Sequence, residues 1–179
     1  MKHFLFCSIL IGVLLLSCRN EDNRSVIYDH QQTDSLTLEN VLSDTSKVLI
    51  SEFPISFDST RILIYPTGFV NIKNDKRSRI SDFMCSVPSN DIVYGSISYL
   101  VFEDIHDNVM RPLSKKILNI QNIRYLRKIA EETGVHYLLY QLQDKDTNAD
   151  KKIDSRDITS LYISKLDGSS FQKLTKDGH

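Results

Sequence analysis

The chain has no tryptophan, and its six glycines are scattered over 179 residues. No two glycines stand close enough to build a phosphate-cradling loop, which excludes nucleotide binding through a Gly-rich turn. An excess of one charge is missing as well. Twenty-two basic residues face 23 acidic ones, so no global field recruits nucleic acid or an anionic membrane. The five histidines, His3, His30, His106, His136 and His179, are too dispersed for zinc spacing. No Gly-x-Ser-x-Gly elbow occurs to expose a nucleophilic serine. The neighbours Glu131 and Glu132 diverge by about 100° on a helix and do not face one another as an acid/base pair. No catalytic residue is therefore expected. Long apolar runs are absent too: the apolar-dominated stretch from Phe4 to Leu16 falls short of the roughly 20 residues that span a bilayer.

That short stretch has a different reading. MKHFLFCSILIGVLLLSC places Lys2 before the apolar segment and small residues after it, the plan of a secretory signal. Its last four residues, Leu15-Leu16-Ser17-Cys18, resemble the lipobox of bacterial lipoproteins. The resemblance implies that residues 1–17 are removed, that Cys18 is acylated, and that the membrane is reached through this N-terminal lipid. Removal takes away one basic residue, Lys2, and moves the formal charge from −1 to −2. With Cys18 lipidated and Cys7 gone, Cys85 stands alone, and no internal disulfide forms despite export. Cys85 lies in DFMCSVP, an apolar setting that suits a small core residue. Residues 18–45 are polar and short of large apolar side chains, the composition of a flexible tether. Glu21 and Asp22 behind the cysteine resemble the surface-export signal of Bacteroidetes lipoproteins; an ordinary soluble linker has the same look.

From residue 46 to 179 the pattern is mainly β. VLI, RILIYP, FVNIK, the long IVYGSISYLVFEDI, HYLLYQL, SLYISKL and FQKLT are rich in β-branched and aromatic residues, punctuated by prolines and glycines. One helix is expected in NIRYLRKIAEETG, with Ile123, Leu126, Ile129 and Ala130 at helical spacing, Asn122 as N-cap and Gly134 as stop. Residues 61 apart also match: VFEDIHDNVMRPLSK and YISKLDGSSFQKLTK each give a strand, a polar turn and a strand ending Leu-Ser/Thr-Lys. Asp167-Gly168 suits a tight hairpin turn. The second copy, LYISKLDGSSFQKLTKDG, resembles the repeat of TolB-type β-propellers. This implies a partial or open propeller-like arrangement of antiparallel hairpins, whose faces are buried by stacking on neighbours. A small β-sandwich is the competing expectation.

Between two of these strands lies DTNADKKIDSRD, Asp146 to Asp157. Oxygen-bearing side chains stand at positions 1, 3, 5, 9 and 12: Asp146, Asn148, Asp150, Asp154 and Asp157. The backbone carbonyl of Lys152 falls at position 7 and Ile153 at position 8 as an apolar anchor. A twelve-residue loop with this spacing can wrap calcium, a hard cation that takes oxygen ligands. The run resembles the calcium loop of EF-hands and dockerins, and the resemblance implies a structural calcium ion. Two departures are Lys151, where glycine is usual at position 6, and aspartate instead of glutamate at position 12. Without a cation the loop's acids, Asp144 included, are expected to crowd one another. A solvated Asp/Asn-rich turn is the bland alternative.

Together, lipobox, acidic loop and Leu-Asp-Gly hairpin resemble small envelope lipoproteins of Bacteroidetes. The expectation is a lipid-anchored, calcium-binding cell-envelope protein at the outer membrane, on its periplasmic face or the cell surface. It would act as a non-enzymatic interaction module with an envelope protein as partner and no nucleic acid. The alternative is a truncated or accessory part of a propeller-type envelope hydrolase; a dockerin half would require a second calcium segment, and only one is present.

Overall fold

A computed structural model describes residues 47–57, 60–71, 83, 85–86, 88–107 and 109–176. The expected signal (1–17), Cys18 and the tether lie outside the described residues. Alternation of apolar and polar side chains dominates what is described, and it yields strands: β1 (Lys47–Ser51), β2 (Ile62–Asn71), β3 (Ile92–Ile97), β4 (Tyr99–Asp104), β5 (Met110–Pro112), β6 (Asn119–Tyr125), β7 (Tyr137–Gln143), β8 (Ser160–Lys165) and β9 (Gln172–Lys173). One helix, α1 (Arg127–Thr133), separates β6 from β7. The strands form two antiparallel sheets, ordered β1-β2-β4-β5 and β3-β6-β7-β8-β9. The fold is thus mainly β, built of antiparallel strands, as the sequence leads one to expect.

A single core lies between the sheets. Ile64, Leu100 and Phe102 from the first join Ile123, Leu138, Tyr140 and Leu142 from the second in one buried cluster. Fully burying each such side chain contributes about 1.5–3 kcal/mol. Tyr140 buries its ring and keeps its hydroxyl satisfied by Ser164 Oγ at 2.7 Å, which avoids the cost of an unpaired buried donor.

Three expectations change. Ile62 to Pro66 of RILIYP and Phe69 to Asn71 of FVNIK belong to one strand, β2, in spite of Pro66 and Gly68. Pro66 stands opposite Glu52, just past the end of β1. Its carbonyl still accepts from Glu52 N at 3.1 Å, so the missing N–H costs only the return bond at the end of the ladder. Gly68 leaves room for Phe83, whose ring carbons would lie 2.1 Å from a Cβ there. Conversely, the stretch from Ile92 to Ile105 is not one strand. It breaks at Ser98, where the chain crosses from the second sheet to the first: the Ser98 amide bonds Thr67 O at 2.9 Å and its carbonyl accepts from Leu118 N at 3.2 Å.

The expected helix is halved. Asn122 is no cap; it lies in β6 and donates from its side chain to Gln141 Oε1 at 2.7 Å. Ile123 and Tyr125 alternate inward with Arg124 outward, and pairing with β7 outweighs helical spacing over so short a run. Arg127 opens the helix instead and clamps Asp91 at 2.5 and 2.8 Å, fixing α1 to the two-residue hairpin turn Asn90-Asp91, where both φ are positive. The helix ends at Gly134, as expected.

The 61-residue repeat is real in three dimensions. Val101 pairs with Pro112 and Phe102 with Arg111; 61 residues on, Tyr162 pairs with Lys173 and Ile163 with Gln172. Loop bonds repeat in the same way. Leu113 N donates to Leu100 O at 3.0 Å and Leu174 N to Leu161 O at 2.8 Å. Ile105 N donates to Arg61 O at 3.2 Å and Leu166 N to His136 O at 3.0 Å. So β1-β2-β4-β5 and β6-β7-β8-β9 are two meanders of one design, with β3 appended to the second.

Substituting Gly68→Ala forces a methyl into the Phe83 ring, and overpacking of this kind costs about 1–3 kcal/mol. The urea midpoint is expected to fall by that free energy divided by the slope, with the slope itself unchanged, and the loss to shrink in the Gly68→Ala/Phe83→Ala double variant.

Candidate functional site

The acidic loop joins β7 to β8 and is clamped where it leaves the sheet. Gln143, fully buried, accepts from Asn119 Nδ2 at 2.8 Å and donates to Thr159 Oγ1 at 2.8 Å. Asp144 accepts from the Tyr162 hydroxyl at 2.7 Å and from Lys173 Nζ at 2.9 Å. It therefore belongs to the sheet and not to the acid crowd.

Within the loop each carboxylate collects its own donors. Asp146 accepts from the amides of Asn148 (3.2 Å) and Lys151 (2.7 Å). Asn148 accepts from Asp150 N at 3.0 Å, and Asp150 from Lys152 N at 2.9 Å. Such side-chain-to-backbone bonds two residues on are what Asp and Asn do in turns. Asp157, at position 12, is 1% exposed. It takes Thr147 N at 2.7 Å, Thr147 Oγ1 at 3.0 Å and Asp154 N at 2.9 Å, closing the loop across its mouth. Ile153 is half-buried, in keeping with an anchor. Ala149 (φ 60°) and Lys151 (φ 65°) are left-handed, each at a cost on the order of 1 kcal/mol for a residue with a Cβ. The sharp turn at position 6 thus forms without glycine.

Charge is balanced from inside the loop. Arg156 Nη2 lies 2.5 Å from Asp150 Oδ2 and 2.7 Å from Asp154 Oδ2. Its guanidinium holds the Asp154 carboxyl below the ordinary value. The expected crowding of acids is relieved in this way, by one arginine and by backbone amides. Six positions of the loop offer oxygen, the chemistry a hard cation takes. Among the described residues, however, no three His, Cys, Asp or Glu side chains gather as a group able to hold a metal ion. Donor chemistry fits calcium; the arrangement is one in which Arg156 stands where the neutralising charge is needed.

The remaining sequence candidates disperse. His136 Nδ1 lies 2.6 Å from the Tyr125 hydroxyl, and the rings stack. Glu131 and Glu132 are both exposed on α1. Cys85 is half-buried against the core, and burial pushes its thiol up to about 11, the opposite of an activated nucleophile. A cleft of about 520 Å³, which sequence reading did not find, opens between the sheets and is lined by Arg61, Asp104, His136, Lys165 and Asp167 among others. Arg61 there pairs with Asp104 at 2.8 Å. Arg61 and His136, and likewise Asp104 and Lys165, are equivalent positions of the repeat; reading the repeat upstream of the hairpins was the signal that could have located it.

Two outcomes test this geometry. Asp157→Ala leaves the Thr147 and Asp154 amides without an acceptor, at about 1–3 kcal/mol per unsatisfied donor; hydrogen exchange at those two amides is expected to accelerate selectively. Because the Asp154 pKa is depressed below 3.8, its contribution to stability is complete above that value and is lost as pH falls through the lowered one. Arg156→Gln is expected to raise the Asp154 titration, followed by carboxyl NMR shifts, because the guanidinium that lowers it is removed while the residue-156 amide and Lys152 remain. Comparison of the chain with protein-family models, curated proteins and solved structures finds no match.

Proposed function

We propose that the protein is a lipid-anchored, calcium-binding module of the bacterial cell envelope, without catalytic activity of its own, that presents propeller-like stacked hairpins to an envelope partner. Cys18 carries the lipid in this reading. The calcium ligands are Asp146, Asn148, Asp150, the Lys152 carbonyl, Asp154 and Asp157. The single observation that carries it is the left-handed turn at Lys151 with its amide returned to Asp146: the loop adopts the sharp bend a cation-wrapping path requires although no glycine makes it easy. Support for the propeller-like part is the repeated four-strand order with identical outer-hairpin register.

Calcium has to displace the Arg156 guanidinium from Asp150 and Asp154, so the affinity belongs in the weak range of extracellular modules, roughly 10⁻⁴–10⁻³ M. The role of the ion is structural, since the loop joins two strands of a hairpin and has no helix pair to open.

Thermal melting at increasing calcium tests the site. A ligand that binds the folded state alone raises the melting temperature with its concentration. The rise is expected in millimolar calcium, is lost in Asp150→Ala, and begins at lower calcium in Arg156→Gln. An unchanged melting curve in the parent chain would remove calcium from the reading and leave the loop as an arginine-neutralised turn.

A further inference from the structure

The two meanders are equivalent, but their buried faces are not. In the first sheet Ile64, Leu100, Phe102 and Leu113 point into the core. Carried through the repeat, these positions are Leu139, Leu161, Ile163 and Leu174, which lie on the outer face of the second sheet. Leu100 is 1% exposed and Leu161 39%; Leu113 is 7% exposed and Leu174 51%. The reverse holds for the other face. Tyr140, Tyr162, Leu166 and Phe171 of the second sheet pack into the core, whereas their equivalents Tyr65, Val101, Ile105 and Met110 lie on the outer face of the first. Leu166 is 7% exposed; Ile105 is 52% and Met110 60%.

Each open face is therefore a copy of a face that already has a partner inside the molecule, and it has kept apolar side chains where nothing of the described chain covers them. The outer face of sheet two repeats the inner face of sheet one. What the inner face of sheet one binds is the inner face of sheet two, which the outer face of sheet one repeats. Glu103, near the end of β4, lies on the open first-sheet face and accepts from the Tyr65 hydroxyl. Lys47 on β1 and Arg61 opposite Ile105 lie on the same face, and Arg124 and Lys165 on the open second-sheet face, so the apolar match and not charge carries the pairing.

We infer that the open faces of this protein dock head to tail on a second copy of the chain, the outer face of the second sheet of one copy against the outer face of the first sheet of the next. The contact reproduces between copies the packing that joins the sheets within one. Such a heterologous contact closes into a ring when its rotation allows; two copies give four stacked sheets and three give six, within the four to eight of closed propellers. This rests on the interaction-module reading and names its partner, but it makes no use of the acidic loop. Sizing in the presence of a chelator therefore tests it apart from calcium.

The experiment is mass determination of the full chain in mild detergent by analytical ultracentrifugation. Two or three copies are expected. Leu161→Asp on one face and Met110→Asp on the other are each expected to raise the concentration for half-association at least tenfold. Both side chains are exposed in the single copy, so its melting curve stays in place; Leu174→Lys and Ile105→Asp repeat the test should either fold poorly. Mixing the Leu161→Asp and Met110→Asp chains is expected to restore a two-copy species, because each supplies the face the other has lost. A parent chain of one copy overturns the inference, whatever other protein then covers the faces. So does association that survives substitution on either face, or a mixture that stays dissociated.

Discussion

Phe102 of β4 lies against the Asp167-Gly168 turn so closely that a Cβ on Gly168 would come within 2.6 Å of its ring. Around this contact the apolar faces of two meanders close on one another, and neither could stand alone. A four-stranded sheet of this size has one face too apolar to leave in water, and the partner sheet is what covers it. Position 168 needs glycine twice over: its φ is +79°, and the aromatic ring leaves no room for a side chain. Where this interlock holds, the inter-sheet cleft beside it, lined by Leu166 and Asp167, is held as well.

The acidic loop illustrates how a charged segment can be ordered by elementary means. Six backbone amides and a threonine hydroxyl converge on Asp146, Asn148, Asp150 and Asp157, and one guanidinium spans Asp150 and Asp154. Exposed ion pairs contribute little singly; here the arginine matters less for its own energy than for setting which cation the acids face. An ion that enters must outbid a tethered competitor at high local concentration.

Much of this was legible in the sequence. Alternation located most strands, because period-two burial is written directly into side-chain type. The 61-residue match located both outer hairpins and their turns; their shared register is a finding of the structure. In the acidic loop the sharp turn falls at Lys151, with φ 65°, although the sequence offers no glycine there to mark it. What could not be read was which strand partners which. Nothing local in NIRYLR distinguishes a strand from a first helical turn; Ile123 and Tyr125 are fixed by β7 across the sheet. Nor does any residue before Ser98 announce that the chain will change sheets there, since the change is imposed by Thr67 and Leu118 from either side. Arg156 was visible as a neighbour of the acids, but its bridge between two of them is a matter of loop geometry.

The crossing at Ser98 bears on how the chain acquires its structure. As the polypeptide is synthesised, β4 and β5 can join β2 at once, whereas β3, made just before them, has only its bridges to Cys85 and Ser89 until its sheet neighbour β6 arrives some twenty residues later. The two halves therefore cannot mature one after the other as independent beads. An early segment waits on a late one, which raises contact order, slows folding, and makes loss of either sheet the loss of both in a single cooperative transition.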